Sequence, residues 1–129
     1  MLTTTGGSAG MSVDDAAAAI AFYRDALGLP VQEEEYGFRL TVGGSTVFVY
    51  PKGEAHEPAT YTAIYLDVPD IDAAVDEVAA AGIALERYDG MPQDDRGVMR
   101  GLRSGDGPDI AWFLDPARNV IAIAQSAPG

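Results

Sequence analysis

One histidine, His56, and no cysteine make up the imidazole and thiol content of the chain. A thiolate metal site and a Cys-His nucleophile are thereby excluded, and a single histidine with no partner evident in the sequence signals no Ser-His-Asp arrangement. His56 falls in KGEAHEPAT, between two helix-and-strand regions, and reads as a surface residue of a linker; action across a dimer interface is the alternative. More suggestive chemistry lies in residues 89–108, DGMPQDDRGVMRGLRSGDGP. Met91 and Met99 are adaptable apolar contacts, while the guanidinium forks of Arg96, Arg100 and Arg103 suit carboxylates or phosphates. A connection this long exceeds ordinary loops and reads as a lid or binding segment. The plainer alternative is that these arginines offset the acidic surface around them, and GVMRGL could pair at a sheet edge.

Side chains of this kind need a scaffold to position them. A chain of 129 residues, 47% of them hydrophobic, supports one real core and reads as a single domain. Its 20 acidic residues against 8 basic ones give a net charge of −12, which repels phosphate backbones and argues against nucleic-acid binding. The opening MLTTTGGSAGMSV lacks the basic flank and long apolar run of a signal peptide, and no stretch is apolar enough to span a membrane, so the sequence reads as soluble and cytoplasmic. The run Glu33-Glu34-Glu35 reads as a solvated strand end.

The chain also repeats itself. VDDAAAAIAFYRDALGL, from Val13, parallels VPDIDAAVDEVAAAGI, from Val68: a valine, an acidic helix start, an alanine-rich amphipathic run and a glycine stop at Gly28 or Gly82. The apolar stripes are Ala16, Ala19, Ile20, Tyr23 and Leu27 in the first helix, and Ile71, Ala74, Val75 and Val78 in the second. Asp14 or Asp15, and Asp70, can cap their first turns. Strand signals precede each helix (SAGMSV, YTAIYLDV) and follow it. LPVQEE, FRLTV and STVFVYP follow the first, the last two joined by Gly43-Gly44; IALERY, DIAWFLD and NVIAIAQ follow the second, the last two joined through Asp115-Pro116-Ala117-Arg118. Each half therefore reads strand, helix, strand, strand, strand, over about residues 7–52 and 59–126, with a linker at about 52–60.

This arrangement, with AFYRDALGL at the first helix end and DPARN before the last strand, resembles the vicinal oxygen chelate superfamily, which includes glyoxalases, bleomycin-resistance proteins and extradiol dioxygenases. Arg118 stands where that family usually has glycine. The resemblance implies an α+β fold in which two βαβββ modules curl their sheets around a shared cavity, with the helices on the convex faces. Metal-using members place inward ligands on the first and last strand of each module, positions that fall here on Ser8, Phe48, Ala63 and Ala122. None is a credible ligand of a divalent ion, and slipping any of these strands by one residue brings in no His, Asp, Glu or Cys. The resemblance therefore implies a variant with no metal and no cofactor.

On the same register Phe48 and Tyr50 face inward from one module and Tyr61 and Tyr65 from the other, with Ala63, Ala122 and Ala124 leaving room for a flat or bulky apolar ligand. The alternative is that these rings fill a core. Trp112 could be cavity wall or helix-facing core. With Met91, Met99 and Arg100 from the long segment, these residues are the expected ligand-binding set. The expected function is metal-free binding of a small molecule, sequestering or carrying an antibiotic or metabolite. The alternatives are a metal-independent isomerase, epimerase or cyclase and, behind it, a metal-dependent lyase or dioxygenase with ligands elsewhere. A homodimer is expected, as isologous two-fold pairing is the commonest assembly.

Overall fold

Two aspartates start the two principal helices. Asp15 Oδ1 accepts from the backbone N–H groups of Ala17 and Ala18 at 2.9 and 3.2 Å, and Asp70 Oδ1 from those of Asp72 and Ala73 at 3.0 and 3.2 Å. Each satisfies amides that a helix start otherwise leaves without partners. The computed structural model describes residues 1–128 and divides into two compact units, Met1–Pro58 and Ala59–Gly129. Among the described residues no helix is long and apolar enough to cross a membrane.

In the first unit β1 (Ala9–Val13) leads into α1 (Ala16–Ile20), which widens into a π-helical turn at Ala21–Ala26 before β2 (Val31–Glu34), β3 (Gly37–Val42) and β4 (Ser45–Pro51). The sheet order is β1-β4-β3-β2, with β1 and β4 parallel and the other pairs antiparallel. The predicted stripe of α1 is only partly realised. Ala19 and Tyr23 are fully buried, but the wide turn, closed by Leu27 N–H donating to Phe22 O at 3.0 Å, leaves Ile20 and Leu27 half-buried. Alternation along the strands sends Met11, Val13, Phe38, Leu40, Val47 and Val49 to the buried face. Tyr23 meets Phe38 there at a centroid distance of 6.4 Å.

The second unit repeats the plan with β5 (Thr62–Asp67), α2 (Ile71–Ala80), β6 (Met99–Arg100), β7 (Asp109–Leu114) and β8 (Val120–Gln125), in the order β5-β8-β7-β6. The α2 stripe is as expected: Ile71, Ala74, Val75 and Val78 are its buried residues, and the helix packs on β7 and β8. The α+β, two-module fold is thus the one the repeat implies.

One strand is misplaced in the sequence reading. IALERY is not a strand; its backbone meets the sheet at a bridge between Leu85 and Phe113 and a bond from Glu86 N–H to Trp112 O of 2.7 Å. Beyond it the Gln93 side chain occupies the backbone groups a ladder would use. Its Oε1 accepts from Tyr88 N–H at 2.8 Å, and its Nε2 donates to Glu86 O at 3.0 Å and Gly97 O at 2.8 Å. The fourth strand is instead Met99–Arg100, inside the segment read as a long loop, pairing with Ile110 and Asp109. A short helix α3 (Gly101–Ser104) follows it, so residues 89–108 are only partly loop.

The turn between β7 and β8 carries Arg118 at φ 68°, the one non-glycine residue with positive φ among those described. A Cβ in that conformation costs about 1 kcal/mol or more, partly offset by the extra unfolded-state freedom of glycine. Arg118→Gly is therefore expected to stabilise the protein by about 0.5 kcal/mol, seen as a higher urea midpoint at unchanged slope. A lower midpoint would mean that the arginine side chain contributes more than its backbone conformation costs.

Candidate functional site

The sheet face of the first unit turned away from α1 carries the chemistry. The parallel register sets Gly10 opposite Phe48 and Ser12 opposite Tyr50, while Arg39 of β3 lies across from Phe48 on the other side. Phe48 and Tyr50, two residues apart, stack at 6.1 Å with their planes 17° apart. Tyr50 is 38% exposed, so the stack is a partly solvated platform rather than filled core. At its flank Arg39 Nε donates to Glu34 Oε1 at 2.7 Å. At the other side Ser12 Oγ lies 2.8 Å from Nδ1 of His56. The sequence reading has His56 as a surface residue of the linker; it does lie in the linker, but half-buried, with its Nδ1 on Ser12 of β1. The missed signal is the turn at Gly53, which folds the linker back over its own sheet.

The corresponding face of the second unit is more completely filled. Ile110, Trp112, Ala122 and Ala124 form a buried cluster against which Tyr88, Met99 and Val120 pack. Trp112 is 8% exposed, meets Tyr88 edge-on at 5.6 Å and donates its indole N–H to Thr62 Oγ1 at 3.2 Å. Thr62 reaches it because the β5–β8 register shifts between Thr62 and Ile64, leaving Ala63 as the extra residue of a bulge. Burial raises the Tyr88 hydroxyl above the usual tyrosine range. Of the expected ligand contacts, Trp112 and Met99 are thus packing residues of this face. Tyr65 is 59% exposed, opposite Ala122; Tyr61 precedes β5 and is 71% exposed; Met91 is at the surface.

Arg87, Arg96 and Arg100 are engaged within the second unit. Arg100 donates from Nη1 and Nη2 to the Asp72 carboxylate at 3.0 and 2.8 Å, and from Nε to Asp94 Oδ2 at 2.8 Å. Arg96 bonds Asp72 and Asp76, and Arg87 donates to the backbone oxygens of Asp94 and Asp95. The hydrogen bond from Arg100 holds Asp72 below the usual carboxylate range. At Asp94 burial acts upward, but bonds from Arg100 and from the Val98 and Arg96 amides leave the group below its ordinary value. The guanidinium proposed to greet an anionic ligand therefore ties residues 94–100 to the first turn of α2. The reason is spatial: folding brings Asp72 and Asp94 onto Arg100, and Asp72 and Asp76 onto Arg96.

The positions the resemblance assigns to metal ligands carry no carboxylate, imidazole or thiolate. Ser8 precedes β1, and Phe48, Ala63 and Ala122 offer only carbon side chains at the positions the resemblance assigns to ligands. Among the described residues no group of three His, Cys, Asp or Glu side chains converges.

Comparison with known proteins adds a family and a fold. Residues 7–123 match the family described as Glyoxalase/Bleomycin resistance protein/Dioxygenase superfamily. No curated protein sequence matches the chain. Among solved structures, a genomically encoded fosfomycin resistance protein from Listeria monocytogenes is 12% identical with a TM-score of 0.68, covering 98% of this chain and 96% of its own. A glyoxalase family protein from Bacillus anthracis is 17% identical, with a TM-score of 0.68 over 98% of this chain and 100% of its own. An antibiotic binding protein from a Streptomyces species is 19% identical, with a TM-score of 0.64 over 98% of this chain and 100% of its own. At these identities the structures establish the likeness of fold.

Proposed function

The chain belongs to the Glyoxalase/Bleomycin resistance protein/Dioxygenase superfamily, and from that premise we propose that it is a metal-free member that binds a small molecule, sequestering or carrying an antibiotic or metabolite. The observation that carries this reading is the Phe48–Tyr50 stack on the open face of the first sheet, at the strand where metal-using relatives would need a ligand. A stacked, partly solvated aromatic pair recognises flat apolar surface and offers no donor atom to a divalent metal ion. Antibiotic-related neighbours, one a resistance protein and one a binding protein, support the ligand class.

Charge refines the ligand. With Arg96 and Arg100 committed to aspartates, the arginines no longer argue for an anionic ligand. The net charge of −12 favours a neutral or cationic one. The protein is taken to act in the cytoplasm as a homodimer. A metal-independent isomerase, epimerase or cyclase is the second reading, and product analysis by mass spectrometry separates it from a carrier.

Titration with a planar cationic drug such as an anthracycline, followed by calorimetry, is expected to show saturable binding unaffected by a chelator. Phe48→Ala and Tyr50→Ala should each weaken it by about tenfold, the worth of one aromatic contact. A stoichiometric divalent ion in purified protein, with binding or activity lost when it is removed, overturns the reading.

A further inference from the structure

The contact between Ser12 Oγ and His56 Nδ1 spans 44 residues of sequence, so the fold has to build it. Three local features do so. The parallel ladder fixes Ser12 beside Tyr50, and Lys52 N–H extends that ladder by donating to Val13 O at 2.8 Å. Gly53, at φ 53°, then turns the chain into a short 3-10 turn over Gly53–Ala55. Ala55 N–H donates to Lys52 O at 3.0 Å and His56 N–H to Gly53 O at 3.1 Å, which brings the imidazole back onto β1. A hydroxyl and an imidazole nitrogen within hydrogen-bond reach are the minimum of an activated nucleophile.

We propose that Ser12 and His56 form a nucleophile–base pair that accepts acyl groups from aryl esters, an activity that goes beyond ligand binding while sharing the Phe48–Tyr50 stack with it. In the tautomer with its proton on Nε2, His56 presents the Nδ1 lone pair to the Ser12 hydroxyl. As Oγ attacks the ester carbonyl, an Oγ–C bond forms and Nδ1 takes the hydroxyl proton. The bond from the carbonyl carbon to the aryl oxygen then breaks, and that oxygen leaves with the proton from Nδ1. The products are an O-acyl Ser12 and a phenol, with no oxidant or metal required. Water using the same nitrogen reverses the modification and completes a hydrolysis. The preference for aryl esters follows from the register: Tyr50 is opposite Ser12, its ring is stacked on Phe48, and Gly10, opposite Phe48, places no side chain on that part of the face. An aromatic leaving group lying on the stack keeps its carbonyl beside β1.

The full chain incubated with p-nitrophenyl acetate is expected to release p-nitrophenolate in a burst of one equivalent per chain and to gain one acetyl group, mapped by peptide mass spectrometry to Ser12. Ser12→Ala should abolish both. His56→Gln, which keeps the size and one polar contact, should slow the burst by about 100-fold or more, the lower range of base catalysis. Unchanged urea midpoints in both variants separate chemistry from folding. Acetylation found only on Lys52, His56 or the amino terminus, or a burst that His56→Gln leaves at full rate, overturns the proposal. A protein that binds the anthracycline yet leaves Ser12 unacetylated refutes this pair and leaves the binding reading standing; the reverse result does the opposite.

Discussion

Gly37→Ala is expected to destabilise the protein by about 3 kcal/mol or more, in the range reserved for steric conflict in a packed interior. An added Cβ would lie 2.1 Å from Val49 O and 3.1 Å from Tyr50 Cα, both backbone atoms of β4. Neither can rotate away, because β3 and β4 are locked by the pairing that sets Phe38 opposite Val49. Relief requires the start of β3 to lift off β4. That would unseat Phe38, which is fully buried and packed against Tyr23, and with it the contact between sheet and helix. Alanine also restricts the unfolded chain, which alone would favour the variant by up to about 1 kcal/mol, so the measured loss understates the conflict. Gly44→Ala is the control: a Cβ there meets nothing within 4 Å. Its urea midpoint should stay within about 0.5 kcal/mol of the parent. A loss below about 1 kcal/mol at Gly37 would show that the close approach to β4 is relieved cheaply.

Gly37 also marks a limit of sequence reasoning. FRLTV is readable as a strand from its alternation, and Gly43-Gly44 as its hairpin, because both signals are local. That Gly37 must remain glycine is not readable, since the obstructing atom belongs to Val49, twelve positions on. The caps at Asp15 and Asp70 and the buried face of α2 were legible for the same local reason; of the turn at Arg118 the sequence showed the chemistry but not the left-handed conformation. The strand expected at IALERY failed on a tertiary competitor. Its alternation is genuine, but the side-chain amide of Gln93 reaches back to Glu86 and Tyr88 and takes the groups a ladder needs.

The candidate site divides in the same way. The i, i+2 spacing of Phe48 and Tyr50 puts them on one face of β4, and the stack follows. Arg100 has the right chemistry for an anion, but its partners Asp72 and Asp94 lie 28 and 6 residues away in sequence. Only folding reveals that they claim it. Ser12 and His56 are hidden more deeply, because neither residue stands in a motif and the turn that joins them is made by Gly53 in a segment that otherwise reads as linker. Side-chain pairs built by a return of the chain carry no periodic signal.

Asn119→Ala should cost about 2–4 kcal/mol, since it removes two hydrogen bonds in a buried setting, one of them to a carboxylate. Asn119 is 1% exposed and Asp115 4%. Asn119 Nδ2 donates to Asp115 Oδ2 at 3.1 Å, its backbone N–H donates to Asp115 Oδ1 at 2.8 Å, and its Oδ1 accepts from Ala59 N–H at 3.2 Å. The side chain thus ties the first residue of the second unit to the turn between β7 and β8. Asn119→Asp tests the polarity of the arrangement. The new carboxylate would face that of Asp115, and a like charge raises its folded-state pKa above the unfolded value. The cost is then full at neutral pH and shrinks as pH falls through the raised folded value. The exchange Asp115→Asn with Asn119→Asp restores one donor and one carboxylate, so the double variant should recover stability relative to Asn119→Asp alone. Urea midpoints of the four proteins at neutral and mildly acidic pH form the cycle. If the two substitutions simply add, or if Asn119→Asp shows no gain on acidification, the pair is not the lock the geometry describes.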